Sequence, residues 1–346
     1  MPVSIVVGGQ YGSEGKGKVA HFFAREMKAS FAVRCGGPNS GHTVIDEQGN
    51  ARIFQQLPTA AILPDVKLAI CSGSYIDLDI LFKEINETSL DAGRLFIDKD
   101  AVIITKELKN REVQSGIVGR IGSTGSGTGA AVAARINREE SLLFAKDLPE
   151  LKPFVTHVPE MLRNALGQQK RIIIEGTQGF GLSPLHARHY PYTTSRDTTA
   201  AAFLSETGLS PLDVDDVILT IRAFPIRVAG NSGPLVDEID WQTVTAEGGH
   251  TTLIEEKTSV TSCIRRVGRF DSNIVNNAIS VNKPTRIVIN HLDYISRNGR
   301  NNFLKGVERS IKNSIDYIGI GPESLIKNNQ VKLIKAYQTE QIRQVC

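Results

Sequence analysis

Short runs of apolar, mostly β-branched residues recur along the chain, separated by stretches with helical spacing. Residues 4–7 (SIVV) read as a strand running into a glycine-rich turn, with a helix over 15–27. Residues 31–35 and 68–71 read as further strands, followed by a helix over 77–87, and later strands fall at 171–175, 216–220 and 286–290. These runs are continuously apolar rather than alternating, as expected of strands covered on both faces. Strands that alternate with helices predict an α/β fold with a mostly parallel central sheet flanked by helices. No internal repeat and no low-complexity linker interrupts the pattern, so residues 1–346 read as one α/β domain with elaborated loops.

Composition narrows the function classes. Hydrophobic residues make up 40% of the chain, enough for a full core, and the formal net charge is only +3. That charge and the lack of a basic run give no footprint for nucleic acid. No stretch approaches the ~18 apolar residues of a spanning helix. The N-terminus, MPVSIVVGG, has neither a basic region nor an apolar run of signal-peptide length. Cys35, Cys71, Cys263 and Cys346 are scattered without a CxxC pair, so they read as buried thiols in a reducing, cytoplasmic setting.

Candidate chemistry begins at residues 8–18, GGQYGSEGKGK, between the first strand and the first helix. Glycines there let backbone amides turn inward, and a helix N-terminus favours an anion, so the segment reads as a phosphate loop. Residues 12–18 fit GxxxxGK, but Val19 follows where a Walker A loop places Ser or Thr for the metal.

The loop resembles the GxQWGDEGKGK motif of the adenylosuccinate synthetase family, and further motifs follow in family order. Residues 36–43 (GGPNSGHT) resemble GGxNAGHT, and 122–129 (GSTGSGTG) resemble GTTGRGxGP more loosely. Residues 175–179 (EGTQG) and 190–199 (YPYTTSRDTT) resemble EGAQG and YPYVTSSNTT. Residues 261–271 look like the aspartate-binding loop, 290–293 (NHLD) like the base-reading motif, and 319–322 (GIGP) like the closing one. The resemblance spans nearly the whole chain. It implies a P-loop NTPase-like architecture and a ligase that phosphorylates the 6-oxygen of a purine monophosphate, then displaces phosphate with aspartate.

The same resemblance implies the site. Ser13, Lys16, His42 and Gln178 fall at catalytic positions. Gly12, Glu14, Gly15, Lys16, Gly17, Lys18, Gly41, His42, Thr43, Asn290, Asp293 and Gly321 fall at positions for the triphosphate donor. Ser13, Asn39, Ser123, Thr124, Arg138, Gln178 and Thr194 fall at positions for the monophosphate, and Val260, Thr261, Arg265 and Arg266 for aspartate. A guanidinium suits a carboxylate because it binds in bidentate fashion. Mg²⁺ is the implied cofactor, with Ser13 and the Gly41 carbonyl as its candidate protein ligands. The implied assembly is a homodimer in which Arg138 or Arg135 reaches the neighbouring site.

Three departures bear on the substrate. Ser13 stands where family members acting on inosine monophosphate carry Asp. A smaller, uncharged residue leaves room for the 2-amino group of guanine, as in the virus-associated branch that makes N6-succino-2-amino-2′-deoxyadenylate from deoxyguanylate (dGMP). Cys263 replaces an arginine near the sugar, which suits a sugar without its 2′-hydroxyl. His291 replaces a lysine before the base-reading Asp293, which favours ATP over GTP. These departures give three readings: a ligase on dGMP, an ordinary adenylosuccinate synthetase using inosine monophosphate (IMP) and GTP, and a nucleotide-dependent switch without ligase activity.

Overall fold

The first strand, Val3–Gly8, is buried along its whole length. Ile5 and Val7 point into one apolar cluster while Val6 points into another on the opposite face. The same division recurs next door: Ile172 and Ile174 face the first cluster, and Ile173 faces the second. The continuous apolar runs of the sequence are therefore strands between two cores. The computed structural model describes residues 2–258 and 262–328.

Ten strands form the main sheet, in the order Ser324–Lys327, Tyr317–Ile320, Arg286–Asn290, Val214–Arg222, Val3–Gly8, Ile172–Glu175, Phe31–Arg34, Lys67–Ile70, Leu95–Asp98 and Val155–Thr156. Every pairing is parallel except that between Tyr317–Ile320 and Ser324–Lys327. The fold is the expected one, a mostly parallel central sheet flanked by helices. Val155–Thr156 and Ser324–Lys327 escaped the sequence reading because they are short and only partly covered, with no period to show.

Val3–Gly8 lies between strands that come far later in the sequence. On leaving it, the chain passes through helix Lys16–Glu26 and joins the sheet again two places away, at Phe31–Arg34. A crevice opens at the carboxyl ends of strands where connections diverge in this way, and ligands of open α/β sheets bind there. Helix Lys16–Glu26 is held down by Val19, Ala20, Phe23 and Ala24 in the second core. Val19 and Phe23 each contribute roughly 1.5–3 kcal/mol when fully buried, the two alanines less.

Smaller units surround the crevice. A hairpin of His42–Ile45 and Ala51–Phe54 carries His42. A three-stranded sheet of Ile226–Arg227, Arg266–Gly268 and Glu238–Ile239 carries Arg266. Helix Thr128–Asn137 packs into a third, smaller cluster. Of the thiols, Cys35 and Cys71 are buried, with their sulfurs 3.6 Å apart at the ends of adjacent strands, but Cys263 is exposed, contrary to the expectation of buried thiols throughout. Cys346 lies outside the described residues.

Candidate active site

The phosphate loop is shaped by three left-handed residues: Gly12 (φ 92°), Ser13 (φ 56°) and Gly15 (φ 85°). Gly15 opens the helix without any side-chain cap, and the first helical turn carries no acid, which leaves its N–H groups for an anion. Glu14 turns inward. Its Oε1 accepts from the amides of Gln10 (3.0 Å) and Gly12 (2.9 Å), and its Oε2 takes the ammonium of Lys16 at 2.7 Å. Glu14 thus braces the loop from within. Gly17 must be glycine for a spatial reason: a Cβ there would lie 2.8 Å from His42 Cβ and 2.9 Å from Thr59 Cγ2. That close approach brings the helix start against the hairpin.

His42 is buried beside an ion pair that spans two adjacent strand ends. Arg34 and Glu175 are register partners, and Arg34 NH1 lies 2.7 Å from Glu175 Oε1. Nδ1 of His42 lies 2.5 Å from that same oxygen and 2.6 Å from Arg34 NH1. Burial first, then the Arg34 charge, push the His42 pKa down to about 3, so the ring is neutral. Burial opposes the charge of Glu175, yet His42, Arg34 and the Thr59 amide hold its carboxyl below the usual range. Nε2 of His42 is buried with no partner among the described residues, so the working end of the ring is free.

Beside this lies a small polar cavity lined by Asn39, Thr128, Thr177, Gln178, Thr194, Arg196, Asp197 and Thr198. Asn39, Gln178 and Thr194 meet there. Gln178 is in the left-handed region at φ 62°. Its carbonyl would be 2.7 Å from a Cβ on Gly8, so its loop lies directly on the phosphate loop. Ser123 and Thr124 are not part of the lining. Ser123 donates to Glu112 Oε1, and Thr124 is exposed. Thr128, four residues on, occupies the wall in their place.

At the other end of the helix start, Lys18 donates to the carbonyls of Gly321 (3.0 Å) and Ser324 (3.2 Å). Burial lowers its pKa to about 8, against the pull of Asp293. Asp293 accepts from the Gly321 amide at 3.0 Å, and Asn290 donates to the Glu14 carbonyl at 2.7 Å. Lys18, Asn290, Asp293 and Gly321 therefore form one cluster, although Asn290 and Asp293 spend these bonds on the backbone. Thr43 is exposed on the hairpin.

Arg265 and Arg266 are separated by their partners. Arg265 NH1 reaches Glu256 at 3.2 Å, while Arg266 forms a fork with Glu238. Glu256 also meets Arg222, whose NH1 donates to the Ser13 carbonyl at 2.9 Å, and it accepts from Tyr294 Oη at 3.0 Å. Burial opposes the Glu256 charge, but Arg222, His291 and Arg265 hold its carboxyl well below the usual range. Val260 and Thr261 lie outside the described residues. Arg135 donates to the Ser72 carbonyl at 2.6 Å within its own subunit, whereas Arg138, at the left-handed end of its helix, is exposed.

The family model described as adenylosuccinate synthetase matches residues 5–144 and 142–303. This chain belongs to the adenylosuccinate synthetase family. It is 34% identical over 340 residues to the adenylosuccinate synthetase of Methanosphaera stadtmanae, covering 93% of this chain and 96% of that one. It is 39% identical over 295 residues to that of Methanocaldococcus jannaschii, covering 84% and 82%. Among solved structures, the succinoaminodeoxyadenylate synthetase of cyanophage S-2L, bound to dGMP and dATP as an energy donor, matches with TM-score 0.82 and 29% identity over 94% of this chain and 95% of that one. The fully ligated adenylosuccinate synthetase of Plasmodium falciparum matches in fold with TM-score 0.80, at 19% identity, over 95% of this chain and 100% of that one. Like its family, the chain is a ligase that forms a carbon–nitrogen bond and works on small-molecule substrates, nucleotides and aspartate. Among the described residues no helix is long and apolar enough to cross a membrane.

The site of this family member also has neighbours that sequence reasoning passed over. Arg34 and Glu175 orient His42, and a signal existed: two all-apolar runs, FAVR and IIIE, each close on a charge of opposite sign. Arg222 also ends a strand, Val214–Arg222, but that strand already carries Asp215, Asp216 and Thr220, and Glu256, in an ordinary polar stretch, carried no signal. For Mg²⁺, the protein ligands on offer are neutral oxygens. Ser13 Oγ and the Gly41 carbonyl make no hydrogen bond among the described residues, and the Glu14 carboxylate is fully engaged within the loop. That donor set fits an ion whose charge is balanced chiefly by the phosphates of a bound triphosphate.

Proposed function

We propose that the chain joins L-aspartate to C6 of dGMP through a 6-phosphoryl intermediate, with ATP as donor, giving N6-succino-2-amino-2′-deoxyadenylate. The observation that carries this reading is Ser13. It occupies the left-handed apex of the loop, half-buried and with its hydroxyl unbonded among the described residues, where the family's IMP enzymes carry a carboxylate. The likeness to a cyanophage enzyme bound to dGMP and dATP supports it. The curated relatives named adenylosuccinate synthetase favour a second reading, IMP with GTP.

In this reading the helix N-terminus and Lys16 neutralise the transferring phosphoryl group. Mg²⁺, held through Ser13 and Gly41, supplies charge neutralisation on the phosphate oxygens when bound. His42 donates from Nδ1 to Glu175, which turns Nε2 toward the site, and a proton taken up at Nε2 makes the ring a donor to charge developing at the 6-oxygen. Asn39, Gln178 and Thr194, with Thr128 in the wall, hold the monophosphate. The cluster of Lys18, Asn290, Asp293 and Gly321 receives the donor base. Arg265 and Arg266, with Val260 and Thr261, take the carboxylates of aspartate in exchange for Glu256 and Glu238. Phosphate release is measured with aspartate and either dGMP or IMP, each with ATP and with GTP. Turnover on dGMP with ATP is expected; a kcat/KM higher for IMP sinks the dGMP reading, and full release without aspartate points to a plain NTPase.

A further inference from the structure

The cavity beside His42 is walled mostly by neutral donors and acceptors, and it has a single basic residue among the described residues, Arg196. Asp197, its neighbour, does not compensate that charge inside the cavity. Its Oδ1 accepts from Ser183 Oγ and the Thr198 amide, and its Oδ2 accepts from Thr199 Oγ1. Both oxygens are spent, on Ser183 and on the start of the helix that follows.

Arg196 is held, but only at one end. NH2 is paired with Glu206, itself largely buried, and the guanidinium lies 5.9 Å from the centre of the Tyr75 ring. Its NH1 and Nε make no hydrogen bond among the described residues. NH1 lies against Gly36, where a Cβ would approach it to 2.7 Å, and the left-handed φ of 111° at Gly36 suits glycine alone. Gly36 begins the loop that delivers Asn39 to the same cavity. A guanidinium anchored by one carboxylate, with further donors unspent beside hydroxyl and amide groups, has the composition of a phosphate seat.

We propose that Arg196 is a phosphate-binding residue for the 5′-phosphate of the purine monophosphate, supplied by the same subunit and positioned by Glu206. The proposal rests on the monophosphate reading of this cavity given above, and it is indifferent to whether the base is guanine or hypoxanthine. It gives each subunit its own cation for the phosphate, in addition to any arginine reaching across a dimer.

Calorimetric titration of dGMP, IMP and the matching nucleosides, deoxyguanosine and inosine, separates the phosphate from the base. In Arg196→Gln, monophosphate affinity is expected to fall about tenfold to a hundredfold, the usual effect of losing a hydrogen bond to a charged group, while nucleoside affinity is unchanged. The variant Arg196→Gln/Glu206→Gln avoids leaving a lone buried carboxylate and is expected to show the same selective loss, which keeps the test intact if the single variant does not fold. Arg196→Lys, which keeps the charge but not the fork, is expected to fall between. Equal losses for monophosphate and nucleoside, or no loss for either, overturn the proposal. Wild-type protein that binds IMP but not dGMP removes the guanine assignment and leaves Arg196 testable on IMP. Wild-type protein with no preference for a monophosphate over its nucleoside overturns the proposal itself.

Discussion

Ser13 and His42 carry the two sharpest expectations at the level of single residues. The left-handed backbone at Ser13 is tolerated better by Asp than by most residues, so Ser13→Asp changes chemistry without new backbone strain. The longer, charged side chain crowds C2 of a guanine and restores the family's carboxylate for IMP. Overpacking typically costs ~1–3 kcal/mol, so the ratio of kcat/KM for dGMP to that for IMP should fall about tenfold to a hundredfold. An unchanged ratio returns the enzyme to the IMP reading. For His42, removal of a donor to developing charge typically costs ~10²–10³ in rate. His42→Ala should therefore lose that much kcat with nucleotide affinity nearly intact; affinity falling in step with rate would mark the residue as structural. Both positions were legible because they sit in dense local motifs. Their supports were not: Arg34 and Glu175 lie far apart in sequence, and nothing local says that their strands become neighbours.

Among elements, the segment ending in Arg265 is tied to the phosphate loop through Glu256 and Arg222, over a sequence gap no motif bridges. Removing one partner of a buried ion pair leaves an uncompensated charge and costs roughly 3–5 kcal/mol. Glu256→Gln should lower stability by that order, read as the midpoint of urea unfolding, because Arg222, fully buried, loses its carboxylate. A midpoint within error of wild type would show that the cluster is solvated and weak. The strands and the first helix were readable because each buries a continuous apolar run. The short outer strands and the seat of helix Thr128–Asn137 were not, since they are fixed by what packs on them rather than by their own pattern.

For the whole molecule, buried imidazoles set the response to acid. His42 titrates near 3 in the folded chain and near ~6.5 when unfolded, so below about 6.5 the unfolded chain binds the extra proton. The stability linked to neutral His42 is complete above that pH and is lost as pH falls toward 3, by about 1.4 kcal/mol per pH unit. His291, lowered chiefly by burial and by Arg222, adds loss of the same sign. Thermal midpoints flat from pH 8 to 7 and dropping from 6.5 to 5 are expected; a midpoint that rises on acidification contradicts neutral burial. Assembly is testable at the same scale. Arg138 is exposed, while Arg135 is committed within its own subunit. Mixing Arg138→Ala subunits with His42→Ala subunits should restore activity if Arg138 serves the neighbouring site, and no regain in the mixture removes the shared-site idea.

The inward carboxylate of Glu14 has a consequence for encounter rates. The loop contains its own counter-ion, because the Lys16 ammonium and the amides of Gln10 and Gly12 are satisfied by one buried carboxylate. Seen from a distance of a Debye length, about 8 Å at physiological ionic strength, that unit is close to neutral. It casts little long-range attraction on a polyanion diffusing past, so capture of the triphosphate depends on contact and on Lys16 changing partners. Added salt should then leave the association rate nearly constant, as it does not where an unpaired lysine draws the phosphates in from afar.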